Sequence, residues 1–157
     1  MLKVTPFLWF DDQAEQAAEL YVSLIPNSKI TGVSRYGEAG PGEKGKAMTV
    51  SFDLDGLPVT ALNGGPTFPF TEAFSFSVAC EDQAEVDRYW KALTADGGQE
   101  SQCGWLKDRF GLSWQIVPKA LPRLLGDQDR SRANRAMKAM LKMKKLVVAD
   151  LEAAAAG

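Results

Sequence analysis

The side chains that could do acid–base or nucleophilic chemistry in this chain form two groups. Four carboxylates, Asp11, Asp12, Glu15 and Glu19, lie near the start, and a thiol, Cys103, lies in the second half. Paired carboxylates can exchange protons with a substrate, and a thiolate can attack one. The 157 residues include no histidine to activate a thiol. We therefore interpret the carboxylates as a helix cap and a solvated helix face, and Cys103 as a structural thiol. Catalytic residues stay unknown.

A four-residue repeat indicates how the chain is organised. Asp-Gln-Ala-Glu occurs at 12–15 and again at 82–85, each time after an apolar run and before a helical pattern. Each copy continues to a turn glycine, Gly56 or Gly111, and a further apolar run. The repeat predicts an α+β fold of two βαβββ modules, 1–66 and 71–118, which pair because one module alone could not bury its sheet. Residues 119–157 are predicted to form a C-terminal helical extension that packs on this domain or on a partner.

The predicted elements follow the apolar periodicity of each module. The first module has strands 5–10, 29–36, 47–54 and 57–63, and a helix that Asp11 or Asp12 caps and that ends near Ile25. The second has a strand 74–80, a helix 82–95, further strands near 99–106 and a last strand 112–117. Residues 37–45 hold four glycines and a proline, which is typical of a mobile loop. Strand alternation turns Leu8 and Phe10 toward the helix and Phe7 and Trp9 away from it.

Composition indicates an ordinary globular protein, with 45% apolar and 24% charged residues. The start of the chain has no cleavage signature, and no apolar run approaches the roughly 18 residues of a membrane helix. We expect a cytoplasmic protein without a membrane partner. The two cysteines, Cys80 and Cys103, then fit reduced thiols better than a disulfide.

The C-terminal region differs in charge from the rest of the chain. Residues 1–118 carry 9 basic against 16 acidic side chains, and residues 119–157 carry 9 against 4. A nucleic-acid surface is one interpretation. A docked amphipathic helix is the one we favour, because the basic residues flank an apolar stripe and no aromatic residue follows Trp114 for base stacking. The stripe comprises Ala133, Met137, Met140 and Leu141. We predict no nucleic-acid partner.

Four sequence segments resemble one known family. They are TPFLWF at 5–10, ALNGGP at 61–66, CGWLKDRFGLSWQIVP at 103–118 and MKAMLKM at 137–143. Together they are similar to the PhnB-like branch of the glyoxalase/bleomycin-resistance/extradiol-dioxygenase superfamily, which has the vicinal oxygen chelate fold. Members of this branch often carry the label 3-demethylubiquinone-9 3-methyltransferase. The resemblance implies that the two modules roll into a cup-shaped mixed sheet.

The resemblance also implies where a metal would bind. Enzymes of this superfamily hold a divalent metal with His or Glu side chains from the first and last strand of each module. The corresponding residues here are Thr5, Thr60, Ser75 and Gln115. Hydroxyl and amide oxygens bind transition metals poorly, so we predict no metal site.

We predict a protein that binds a small apolar or aromatic molecule in its cup without a cofactor. The alternative is an S-adenosylmethionine-dependent methyltransferase acting on a demethylubiquinone-type quinol, as the family label implies; a metal-dependent lyase or dioxygenase is less favoured. Residues 37–45 lack the G-x-G-x-x-G pattern of a nucleotide-binding turn. The cup-lining candidates are Thr5, Phe7, Trp9, Thr60, Leu62, Asn63, Ser75, Ser77, Cys103, Trp105 and Gln115.

The segment between the modules bears on assembly. It is short, 64–71, and contains Pro66 and Pro69, which stiffen the backbone. A stiff connection hinders the second module from folding back on the first. We therefore predict a homodimer, with modules exchanged between the two chains.

Overall fold

The structure is a computed structural model that describes residues 2–157. The chain divides into two compact units, Met1–Phe70 and Thr71–Gly157. Among the residues described, no helix has both the length and the apolar character that a membrane crossing requires.

The first unit is a four-stranded mixed sheet with one helix. Its elements are β1 (Phe7–Phe10), α1 (Ala14–Leu24), β2 (Lys29–Arg35), β3 (Ala47–Leu54) and β4 (Leu57–Asn63). The strand order is β1-β4-β3-β2, and β1 runs parallel to β4 while the other pairs are antiparallel. Asp55 and Gly56 form the β3–β4 turn with φ of 50° and 79°, the left-handed geometry that a tight hairpin needs.

The core of the first unit lies between α1 and one face of the sheet. The helix buries Ala14, Ala17, Ala18 and Tyr21. The sheet contributes Leu8, Phe10, Val50, Phe52, Val59 and Ala61, all less than 5% exposed. Alternation therefore leaves the other strand positions on the opposite face of the sheet, which we call the open face.

The second unit repeats this arrangement. Its strands are β5 (Ser75–Cys80), β6 (Gln99–Glu100), β7 (Trp105–Lys107) and β8 (Ser113–Pro118), and its helix is α2 (Gln83–Thr94). The order β5-β8-β7-β6, with β5 parallel to β8, matches that of the first sheet. Trp90 of α2 and Trp114 of β8 are both buried. The prediction of an α+β fold built from two βαβββ modules is confirmed.

Three helices follow β8 within the second unit: α3 (Ala120–Leu125), α4 (Arg130–Met140) and α5 (Val148–Ala156). Their shared core includes Leu121, Leu124, Ala136, Leu146 and Leu151. The Gln83 side chain of α2 joins them to the module, since it donates to Leu146 O (3.0 Å) and accepts from Val148 N (2.7 Å).

The predicted apolar stripe of α4 is wrong in part. Ala133 is buried, but Met137 and Leu141 are 39% and 57% exposed. Ala136 takes the central buried position instead. Small side chains let α4 approach its neighbours closely, and Leu141 lies beyond the last helical residue.

The cap predicted for α1 is also wrong. The helix begins after Gln13, whose side chain makes no capping bond, and neither Asp11 nor Asp12 takes its place. Instead Ala14 N donates to Asn63 Oδ1 at 2.8 Å, from the end of β4. In α2 the equivalent aspartate, Asp82, does cap the helix by accepting from Glu85 N.

Candidate functional site

The open face of the first sheet carries an apolar patch. In the β1–β4 register, Phe7 lies beside Thr60 and Trp9 beside Leu62, so these four side chains share one face. Phe7 is 59% exposed. Thr5 lies outside β1, contrary to the predicted strand: Pro6 has no N–H to extend the ladder, although its carbonyl accepts from Thr60 N (3.1 Å).

The segment after β4 folds back onto Trp9. The indole Nε1 donates to Gly65 O at 2.9 Å, and the ring meets Phe68 edge-on with centroids 5.0 Å apart. Gly64 lies directly against the indole, because a Cβ there would be 2.4 Å from the ring. Trp9 is thus fixed in place, while Phe7 and Phe68 stay exposed at 59% and 61%.

Asn63 does not join this face. It follows Leu62 by one residue and lies on the α1 side, where its side chain accepts from Ala14 N and donates to Ala47 O (3.0 Å). One position along a strand reverses the side chain, so Leu62 and Asn63 cannot line the same surface. The structural role of Asn63 is to join α1, β3 and β4.

Asn63 contributes to a different recess, of about 380 Å³, in the first unit. The glycine-rich loop covers part of it. Gly42 packs on the Tyr36 ring, where a Cβ would come within 2.3 Å, and the Tyr36 hydroxyl donates to Asn63 O at 2.6 Å. The carboxylate residues Asp11, Asp12 and Glu43 also line this recess.

The open face of the second sheet is more polar. Gln115 pairs with Ser77 and Trp105 in the strand register, and its amide donates to Ser75 Oγ at 3.0 Å. The predicted residues Ser75, Ser77, Trp105 and Gln115 therefore share one face. Cys103 lies in the turn before β7, with φ of 59°, and its N–H donates to Met143 O (2.8 Å). It is thus placed by the turn and not by a strand.

A recess that the sequence analysis missed lies beside β7 and β8. It has a volume of about 140 Å³ and is lined by Lys107 and Ser113, with Glu72 from the segment before β5. Ser113 is 1% exposed, and its hydroxyl has no hydrogen-bond partner among residues 2–157. Alternation from Gln115 and Ser75 was the signal that could have located Ser113 on this face.

The surroundings of Cys80 and Glu72, both in the second unit, shift the pKa of each side chain. Burial raises the pKa of the Cys80 thiol to about 12, so this thiol stays protonated at neutral pH and is a poor nucleophile. A hydrogen bond from Lys107 lowers the pKa of Glu72, which keeps the carboxylate charged beside the recess.

The donor set on the two sheets does not fit a transition metal. Thr60, Ser75 and Gln115 present hydroxyl and amide oxygens, and Thr5 lies before the first strand. Within the described part of the chain, no three or more His, Cys, Asp or Glu side chains gather where a metal could bind. Chemistry that depends on a bound transition metal has no support in these residues.

Comparison with known proteins identifies the relatives of this chain. Residues 2–117 match the model of the 3-demethylubiquinone-9 3-methyltransferase family. A PhnB protein from Bacillus cereus with the same description has 34% identity and a TM-score of 0.69 over 74% of this chain and 99% of its own. No curated protein matches.

More distant solved structures share the fold. Protein PA1353 from Pseudomonas aeruginosa has 22% identity and a TM-score of 0.62, over 75% of this chain and 98% of its own. A fosfomycin resistance protein, FosX from Listeria monocytogenes, was solved with Mn(II) and a dihydroxypropylphosphonic acid. It has 16% identity and a TM-score of 0.52, over 74% and 93% of the two chains. The fold is that of the vicinal oxygen chelate superfamily, and the chain belongs to its PhnB-like 3-demethylubiquinone-9 3-methyltransferase family.

Proposed function

We propose that the protein binds a small apolar or aromatic molecule against the open face of its first sheet. The observation that carries this proposal is the exposure of Phe7, 59%, beside the half-buried Trp9 and Leu62. Exposed apolar patches on soluble domains commonly mark binding surfaces.

The fixed position of Trp9 supports a preformed site. Its indole is held by Gly65 O and by the Phe68 ring, so a ligand meets an aromatic wall that is already ordered. Phe68 extends this wall. A flat ring can pack edge-on or offset against such side chains, and each aromatic pair contributes about 0.5–1.5 kcal/mol.

Titration with 1-naphthol, followed by ¹⁵N-edited NMR, tests the proposal. We expect shifts of the Phe7 and Leu62 amides and of the Trp9 indole N–H. Phe7→Ser should weaken binding about 2- to 10-fold, the loss of one aromatic contact. The matched control is Val33→Ser, an exposed residue of the same sheet that lies on edge strand β2. If Phe7→Ser and Val33→Ser bound 1-naphthol equally well, the open face of the first sheet would not be the binding site.

A second candidate is methyl transfer from S-adenosylmethionine to a demethylubiquinone-type quinol. The description of the matching family favours it. The quinol ring is flat and would suit the aromatic face. The 380 Å³ recess in the first unit has the size of a small-molecule pocket, and its carboxylates would attract the cationic methyl donor. The glycine-rich loop itself leads into strand β3 and not into a helix, so it does not form the glycine-rich strand-to-helix turn on which such methyltransferases typically bind the cofactor.

Calorimetry with S-adenosylmethionine separates the two candidates. Heat that saturates at one site per chain, together with transfer of labelled methyl to a demethylated quinol, would support methyl transfer. Glu43→Gln should then weaken cofactor binding, and the exposed Glu38→Gln should not. The absence of both heat and transfer would leave ligand binding as the function.

A further inference from the structure

The recess beside β7 and β8 has the character of a small polar binding site. It is lined by Glu72, Glu100, Ser101, Trp105, Lys107 and Ser113, all within the second unit. Its volume of about 140 Å³ is large enough for a small organic group. We propose that this recess binds a small neutral molecule through a primary carboxamide.

The unpaired hydroxyl of Ser113 is the first observation that indicates a ligand. Its side chain is almost completely buried, yet its hydroxyl has no hydrogen-bond partner among residues 2–157. Buried hydroxyls are nearly always paired. The neighbouring Ser75 hydroxyl on the same face accepts from Gln115, so the unpaired state is particular to Ser113. A ligand that presents an acceptor oxygen at this position would satisfy the group.

The position of Lys107 also favours a ligand that presents an acceptor oxygen. It pairs with Ser113 in the strand register, so both side chains lie on one face. Its ammonium contacts the Glu72 carboxylate in an ion pair whose side chains are 36% and 61% exposed. An ammonium has three N–H donors, and one carboxylate contact leaves donors for a ligand oxygen. A carbonyl oxygen can therefore accept from both the Ser113 hydroxyl and the Lys107 ammonium.

The carboxylates of the recess select a neutral ligand with N–H groups. Glu72 and Glu100 both line it, against the single positive charge of Lys107. Two negative charges against one positive charge oppose the binding of an anion. The Lys107 ammonium, which lies on the same face as Ser113, opposes the binding of a cation beside that residue. Glu100 already accepts from Trp90 Nε1 at 2.7 Å, but a carboxylate has about four acceptor positions. A primary carboxamide places its N–H₂ beside its carbonyl, which matches carboxylates beside Ser113 and Lys107.

NMR titration with acetamide, acetate and methylammonium tests the proposal directly. Acetamide should shift the Lys107 and Ser113 amide signals more than the two ions at equal concentration. Ser113→Ala should weaken acetamide binding about 3- to 10-fold, the effect of one lost hydrogen bond. Ser131→Ala is the matched control, because Ser131 is an exposed serine of the second unit that lies on α4, outside the recess. It should bind as the parent does.

Three results would overturn the proposal: no acetamide shift at these residues, a stronger response to either ion, or undiminished binding by Ser113→Ala. If Ser113→Ala does not fold, Lys107→Met tests the same oxygen contact from the other side and should weaken binding to a similar extent. The site belongs to the second unit and does not depend on the proposed aromatic site. Failure of 1-naphthol to bind the first sheet would leave it unaffected.

Discussion

The buried carboxylate of Asp108 gives the sharpest prediction of stability. Asp108 is 2% exposed, and it follows β7 in the β7–β8 turn. One carboxylate oxygen accepts from Phe110 N (2.9 Å) and Leu112 N (3.1 Å), and the other accepts from Trp114 Nε1 (2.9 Å). The side chain thus holds both the turn and Trp114, the aromatic residue of β8.

The size of the effect follows from the donors that lose their acceptor. Asp108→Ala removes the acceptor of the Leu112 N–H and of the Trp114 indole N–H, and each buried donor that loses its hydrogen bond costs about 1–3 kcal/mol. The expected loss is therefore about 2–6 kcal/mol, a large part of the roughly 5–15 kcal/mol that stabilises a domain. Asp108→Asn keeps an oxygen for the backbone donors but turns N–H₂ toward the indole. It should cost about 1–3 kcal/mol.

Urea unfolding followed by circular dichroism measures both variants, and the Trp114 indole proton signal gives a local check. Asp96→Asn is the control, because this carboxylate is 75% exposed and its φ of 55° suits asparagine. It should change stability by less than about 0.5 kcal/mol. The reasoning is refuted if Asp108→Ala costs under about 1 kcal/mol, or if Asp108→Asn equals the parent.

Three further predictions concern pH, the C-terminal helices and assembly. Because the pKa of Cys80 is about 12 when folded and 9.0 ordinarily, its contribution to stability is complete below pH 9. Above pH 9 that contribution falls by up to about 1.4 kcal/mol per pH unit. The free energy of unfolding, measured in urea from pH 8 to 10.5, should show this fall in the parent and not in Cys80→Ala. Arg135 donates to Ala155 O at 2.7 Å at the end of α5. Arg135→Met should therefore cost about 1–2 kcal/mol and speed amide exchange in α5, whereas Arg123→Met, which breaks only an exposed ion pair, should not. Light scattering should give twice the chain mass of 17.1 kDa if the homodimer forms, and the single mass would contradict it.

Sequence periodicity predicted the elements of this fold well and the ends of those elements less well. Strands β3 and β4 match their predicted bounds, because the Asp55-Gly56 turn and strict alternation determine the register locally. The start of β1 was wrong by two residues, since a strand needs a partner and Pro6 cannot donate to one. The predicted burial of Met137 and Leu141 was wrong, because the spacing of apolar residues identifies one side of a helix but not the neighbour that covers it.

The candidate site was predictable only as a face and not as a recess. Alternation correctly grouped Phe7 with Trp9 and Ser75 with Gln115, because side-chain direction along a strand has a period of two. The same rule places Asn63, one of the predicted cup-lining residues, on the opposite face of the sheet. The unpaired state of Ser113 depends on residues distant along the chain, and no local pattern encodes it.

The two copies of the repeat show how the same local sequence can be used in different ways. Asp82 caps α2 through its own side chain, whereas α1 receives its acceptor from Asn63, 49 residues from Ala14. A local cap forms whenever the helix forms, but the Asn63 cap requires β4 to be in register beside β1. The start of α1 is thereby linked to completion of the first sheet. Asn63→Ala should consequently loosen α1 and the β4 end together, while Asp82→Ala should affect α2 alone. Site-resolved amide exchange distinguishes these outcomes, and loss of protection confined to α1 in Asn63→Ala would show that helix and sheet are not linked through this residue.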